Sequence, residues 1–195
     1  SYGTVAEMLA QERLRDDPVD AVAIMTPNDS HYAFAKAALG AGCDVMCDKP
    51  VTHDFAQAAD LVARTRATGR LFAIAHGYSG YPMIRHARAL VQDGTIGPVR
   101  LVQVEYIQAG MATRLEDAPQ NNRLRWVLDP ARSGQALVMS AIGCHAQQLA
   151  CFAIERPVTR VVADVGALLP GRVVVDYVSA LLAFEGGARG TFTVT

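Results

Sequence analysis

Three short apolar runs, each ending in a polar or proline turn, constrain this chain more than any other feature. They are AVAIM before Thr26-Pro27-Asn28, DVMC before Asp48-Lys49-Pro50, and LFAIA before His76-Gly77-Tyr78. Helical patterns separate them: residues 31–42, closed by Gly40 and Gly42, and residues 52–69, with Thr52 as N-cap and Gly69 as C-terminal stop. Residues 3–14 predict a further helix ahead of the first run. Continuous apolar strands alternating with helices predict a parallel sheet covered on both faces, so this half reads as α/β of the doubly wound kind.

After residues 78–82 the grammar changes. A helix over 83–97 leads into a partly alternating strand, 99–108, then a polar, Arg-rich connection and a buried helix over 133–154. Strands over 159–168, 173–187 and 188–195 close the chain, and the short GGARG turn predicts an antiparallel arrangement. The expected organisation is a partial Rossmann domain over 1–80 and an α+β domain with a mostly antiparallel open sheet over 81–195. The first half shows three strands where a self-sufficient doubly wound sheet has about five or six, and the last strand runs out at Thr195, so the chain reads as incomplete at both ends.

Charge and cysteine usage narrow the function classes. A formal net charge of -1, with cations scattered along the chain, offers no basic stripe for a phosphate backbone, so nucleic acid is not expected as a partner. No apolar run approaches the roughly 20 residues that cross a bilayer, and SYGTVAEMLAQERLRDD is a charged helical pattern without the form of a signal peptide. The expected location is the cytoplasm, away from membranes. The 4 cysteines form no C-x-x-C pair and no metal-ligand spacing, so free thiols and no metal are expected.

In open α/β sheets ligands bind beyond the carboxyl ends of the strands, which directs attention to the three turns. Lys49 is one of only two lysines, with Lys36, among 18 cationic residues. Beside a strand end it reads either as a solvated lysine in a βα loop or as a partly desolvated donor at a ligand site; Asp48 next to it favours the charged form. Pro50 restricts Lys49 to extended geometry, and about 5–6% of X-Pro bonds in folded proteins are cis. His145, between apolar neighbours, reads either as a satisfied core histidine or as an acid–base group; its i−4 neighbour is Ala141 and Gly143 permits close approach. His31 falls in the first turn of its helix. Gly40-Ala41-Gly42 begins a G-x-G but closes a helix and lacks the third glycine, so it is no phosphate-binding turn.

The ordered series AVAIMTPNDSHYAFAKAALGAGCDVMCDKPVT, GPVRLVQVEY and DPARSG…IGCH resembles the Gfo/Idh/MocA oxidoreductases, the glucose–fructose oxidoreductase and inositol dehydrogenase family, from about residue 18 onward. The resemblance implies a Rossmann domain for NAD or NADP and a C-terminal domain whose open sheet forms oligomer contacts, giving a homo-oligomer, dimer or tetramer. It implies that Thr26, Pro27, Asn28 and His31 lie along the cofactor and that Asp48 replaces a more usual Glu near the nicotinamide ribose. By the same resemblance Lys49 is the motif lysine at the reacting oxygen, His145 is the catalytic histidine, and Trp126 sits near the nicotinamide. The implied reaction is hydride transfer between the cofactor and a CH–OH group of a sugar, cyclitol or related polyol. Three features depart from the family pattern: no G-x-G-x-x-G turn, Ala141 in place of the Asp four residues before the histidine, and Val127 in place of an Arg. Ala141 motivates an alternative, a catalytically impaired dinucleotide- or sugar-binding regulator. NAD-dependent glycoside cleavage through a transient ketone is a third.

Overall fold

Apolar segments too short for helices pair as strands wherever a helix can return the chain, and residues 1–75 repeat that unit. The structure is a computed structural model describing residues 1–115 and 126–195. It divides into two compact units, Ser1–Ala75 and His76–Thr195.

In the first unit α1 (Val5–Glu12) precedes β1 (Ala21–Ile24), α2 (Asn28–Gly40), β2 (Asp44–Cys47), α3 (Phe55–Thr68) and β3 (Phe72–Ile74). The strands form a parallel sheet in the order β1-β2-β3, with Ile24 opposite Cys47 and Cys47 opposite Ile74. Right-handed crossovers that step one way across a sheet leave both helices on the same face. There Ile24, Val45 and Cys47 pack with Ala35, Ala38 and Leu39 of α2, Leu61 of α3 and Leu9 of α1. The expected cover on both faces is therefore half present among the described residues: the row Ala23, Met46 and Ala73 on the other face is exposed, Met46 by 45%. α3 is capped by Asp54, whose carboxylate accepts from the Gln57 amide at 2.9 Å, and not by Thr52, whose hydroxyl donates to Asp54 O. A carboxylate two residues later in the T-H-D run reaches the first-turn amides and wins the cap. Gly69, at φ 66°, ends the helix as expected.

The second unit contains a 3₁₀ turn (Gly77–Gly80), α4 (Pro82–Gln92), β4 (Leu101–Tyr106), a short helix α5 (Pro130–Ser133), a π-helical turn (Met139–Gly143), α6 (Cys144–Ile154), and strands β5 (Val158–Gly166), β6 (Tyr177–Phe184) and β7 (Arg189–Val194). The single helix expected over 133–154 is broken. Gly134, at φ 87°, stops α5, and main-chain bonds tie Gln135 and Val138 to Val175 before the helix resumes. The expected helix over 83–97 stops at Gln92, with Gly94 and Gly97 at φ 78° in the turn that follows.

The four strands lie in the order β4-β7-β6-β5. β5, β6 and β7 are antiparallel neighbours, whereas β4 runs parallel to β7, so the sheet is mixed at one edge. One face packs Val178, Ala180, Leu182, Phe184, Phe192 and Val194 against Val138, Ile142, Ala146 and Ile154. Gly190 permits the β4–β7 approach: a Cβ there would lie 2.8 Å from Val102 O and 2.9 Å from the Phe184 ring. On the opposite face Leu101, Leu181 and Val162 remain exposed among polar neighbours.

A buried ion pair closes one end of this unit. The Arg172 guanidinium, whose side chain is 1% exposed, donates to Asp176 Oδ2 at 3.0 Å and to the carbonyls of Met111 and Thr113 at 2.7 and 3.0 Å. Asp176 Oδ1 accepts from the Leu168 amide at 2.7 Å. The pair borders a cavity of about 440 Å³ lined mainly by apolar atoms, with Ile107, Met111, Leu168 and Leu169 in its wall.

Candidate active site

At the carboxyl edge of the parallel sheet, β1 is followed by Thr26 and Pro27, and α2 begins at Asn28 without a side-chain cap. The Thr26 and Ser30 hydroxyls are 2.6 Å apart, and Ser30 Oγ donates to Pro27 O at 2.8 Å, which folds the turn back on the helix start. β2 is followed by Asp48, whose amide donates to Ile24 O at 2.9 Å and whose carboxylate accepts the Lys49 amide at 2.8 Å. The Lys49–Pro50 bond is cis. Pro27, Asn28, Asp48 and Lys49 are half-buried and Thr26 is exposed, so these groups border solvent at one sheet edge.

His31 lies beneath both turns. It is 0% exposed, and its ring nitrogens each lie 2.8 Å from a main-chain carbonyl oxygen, Nδ1 from Pro50 and Nε2 from Thr26. With no accessible surface, its ring acts on a ligand site only by holding together the two turns whose carbonyls it meets. Replacing His31 by Ala removes a packed ring and strips both carbonyls of this partner, which is expected to destabilise the protein by about 2–4 kcal/mol. Urea unfolding of the whole protein measures this; a change under about 0.5 kcal/mol, ordinary for surface positions, would show that the tie contributes little. Cys47, at the end of β2, is buried, and burial, then the Asp48 charge, pushes its thiol up to about 11, so it is an inert core residue at neutral pH.

The second unit assembles a cluster around His145 in the first turn of α6. His76 meets its ring edge-on at 5.9 Å between centroids, and Tyr78 packs at 4.7 Å with the planes inclined by 55°. The Tyr78 hydroxyl is 3.2 Å from that of Tyr106 on β4, which accepts from Gln108 Nε2 at 3.0 Å. The preceding π turn packs Gly143 so tightly on Met139 that a Cβ would come within 2.5 Å of the sulfur. Ala141 lies half-buried in that turn and presents a methyl group to a small cavity that Gln108 also borders. Tyr78, Tyr106 and Gln108 escape the sequence reading as site residues; the aromatic-rich HGYSGYP run directly after a strand was the available signal. Trp126 is half-buried and directly follows residues 116–125, which lie outside the described residues.

Among the described residues no three His, Cys, Asp or Glu side chains are grouped to hold a metal ion, and no helix is long and apolar enough to cross a membrane.

A parallel sheet with polar strand ends, joined in sequence to a mixed sheet that carries a histidine helix, is the arrangement of Rossmann-type oxidoreductases. Residues 1–76 match the oxidoreductase family with an NAD-binding Rossmann fold, and residues 84–195 match the GFO/IDH/MocA C-terminal domain. The chain belongs to the Gfo/Idh/MocA oxidoreductase family. It is 30% identical to the uncharacterized oxidoreductase YfiI of Bacillus subtilis, over 97% of this chain and 49% of that protein. It is 26% identical to the trans-1,2-dihydrobenzene-1,2-diol dehydrogenase of Bos taurus, over 99% of this chain and 52% of that protein. Among solved structures, an inositol dehydrogenase homolog of Azotobacter vinelandii in complex with NAD+ superposes with a TM-score of 0.93 at 30% identity, over 100% of this chain and 50% of that one. A complex of an inositol dehydrogenase homolog of that organism with NADH and myo-inositol gives 0.88 at 28% identity, over 100% and 49%. The chain thus spans about half the length of the relatives it matches.

Proposed function

We propose that the protein carrying this chain is a nicotinamide-dependent dehydrogenase acting on a CH–OH group of a sugar, cyclitol or related polyol, with NAD or NADP as cofactor. The observation that carries this reading is the strand-end pair of turns, Thr26-Pro27-Asn28 and Asp48-Lys49-Pro50, tied by buried His31 at the edge where α/β sheets take their ligands. These turns fit the cofactor: they present exposed or half-buried polar groups beside the uncapped start of the 13-residue helix α2. Thr26, Pro27, Asn28, Asp48 and Lys49 would hold it, and Trp126 is a further candidate contact. When bound, the nicotinamide supplies the hydride acceptor or donor.

The chain's own residues supply binding and proton handling. Lys49 donates a hydrogen bond to the substrate oxygen, which stabilises it as it gains carbonyl character. His145 accepts the hydroxyl proton during oxidation and returns it during reduction. The structures of relatives with NAD+, and with NADH and myo-inositol, support the substrate class. The exposed Leu101, Leu181 and Val162 on the open sheet face support self-association as a dimer or tetramer.

Incubating the whole protein with NAD+ or NADP+ and a panel of sugars and cyclitols should give reduced nicotinamide with at least one member. Ala141, whose methyl lies one turn before His145, favours a second reading, a regulator that binds but does not turn over. Saturable nucleotide binding without reduction across the panel would select that second reading; release of a free aglycone without net reduction would indicate glycoside cleavage.

A further inference from the structure

Resting on the reading of His145 as the proton acceptor, we infer that Tyr78 is its positioning residue, held by a hydrogen-bond chain that starts at Gln108 and passes through Tyr106. A histidine that exchanges protons with a substrate must present one nitrogen in one direction, so its ring has to be held by neighbours. His145 is held by rings: Tyr78 lies against it at 4.7 Å and His76 stands edge-on at 5.9 Å. The residue one turn earlier, Ala141, offers only a methyl group.

Beyond Tyr78 the chain runs through the Tyr106 hydroxyl to the Gln108 side chain. An amide nitrogen can only donate, so at 3.0 Å from Gln108 Nε2 the Tyr106 oxygen is an acceptor. The Tyr106 and Tyr78 hydroxyl oxygens lie 3.2 Å apart, and either can donate to the other. The members come from three places in the sequence: the turn after β3, β4 with the segment just after it, and the start of α6. Gln108 is itself fixed by its amide, which donates to Thr195 O at 2.8 Å. Ring packing sets the plane of the imidazole, and the hydroxyl chain keeps Tyr78 from swinging away.

The test uses the whole protein and two readouts. The first is nitrogen NMR of ring-labelled histidine without cofactor, with the His145 signals assigned by their loss in His145→Gln. Tyr78→Phe and Tyr106→Phe, which keep the rings and remove single hydroxyls, should each shift or broaden the His145 ring nitrogens while leaving those of buried His31 unchanged. The second is steady-state kinetics on the substrate found in the panel. Each variant should lower kcat about 10- to 100-fold, the range over which orienting contacts act, with KM within about twofold. The double variant should lose no more than the worse single, because the members act as one unit. Unchanged His145 ring signals in both single variants would overturn the positioning role, whatever the kinetics. Changed signals together with full turnover in His145→Gln would instead overturn the role of His145 as proton acceptor and leave its positioning by Tyr78 standing.

Discussion

On the proposed function, replacing Lys49 by Ala in the whole protein is expected to lower alcohol turnover by about 10²–10⁴, the range for loss of a positioned acid–base or hydrogen-bonding group. Stability should hardly move. The Lys49 amide bond to Asp48 Oδ1 and the His31 bonds to the turn carbonyls both remain in Lys49→Ala. Loss of turnover with an unchanged unfolding midpoint therefore identifies a chemical role. Lys49→Arg separates charge from shape: a planar guanidinium keeps the cation but cannot place a compact ammonium at the same point, so it should rescue binding more than kcat. A Lys49→Ala protein retaining more than about a tenth of wild-type turnover would remove this lysine from the mechanism.

The second large effect is on folding. Arg172→Met is expected to cost about 3–5 kcal/mol, because it leaves the Asp176 carboxylate and two carbonyls in a buried site without the cation they share. By the usual size scaling this corresponds to a fall in Tm of roughly 10 °C or more for a unit of this size. Adding Asp176→Leu should recover part of the loss by removing the stranded charge, and only part, because the Leu168 amide then loses its acceptor. Exposed Arg189→Ala is the control and should fall within about 0.5 kcal/mol of wild type. Equal effects for Arg172→Met and Arg189→Ala in thermal unfolding would show that the buried pair contributes nothing.

The strand ends were legible because each apolar run stops at a residue that cannot continue it, and the ligand edge of a parallel sheet follows from chain direction alone. Lys49, Asp48 and Asn28 are therefore readable from the sequence as strand-end residues. What stayed hidden depended on partners without a sequence signature. His31 binds main-chain carbonyls, and every residue has one, so nothing in the sequence marks Thr26 and Pro50 as its partners. Tyr78 and Tyr106 are 28 residues apart and meet only once β4 is seated in the sheet. The parallel pairing of β4 with β7 joins strands nearly ninety residues apart, beyond the reach of local pattern. Arg172 and Asp176 have helical spacing but lie in a segment whose amides are used elsewhere, by Gln135 and Gly166. The break at Gly134 falls just ahead of the apolar run over 136–142, which by itself reads as one helix from Ser133 onward.

The π turn at Met139–Gly143 stores the aim of His145 as a matter of counting. One residue more than an α-helix needs advances the angular phase by about 100°. A single deletion within 139–143 would restore the α-helical count, and then either α6 gives up its place against Ala180 and Phe192 or the imidazole turns by more than a quarter of a circle. The direction of this side chain is thus inherited from a length, and an insertion or deletion there would redirect it without changing a single residue that touches it.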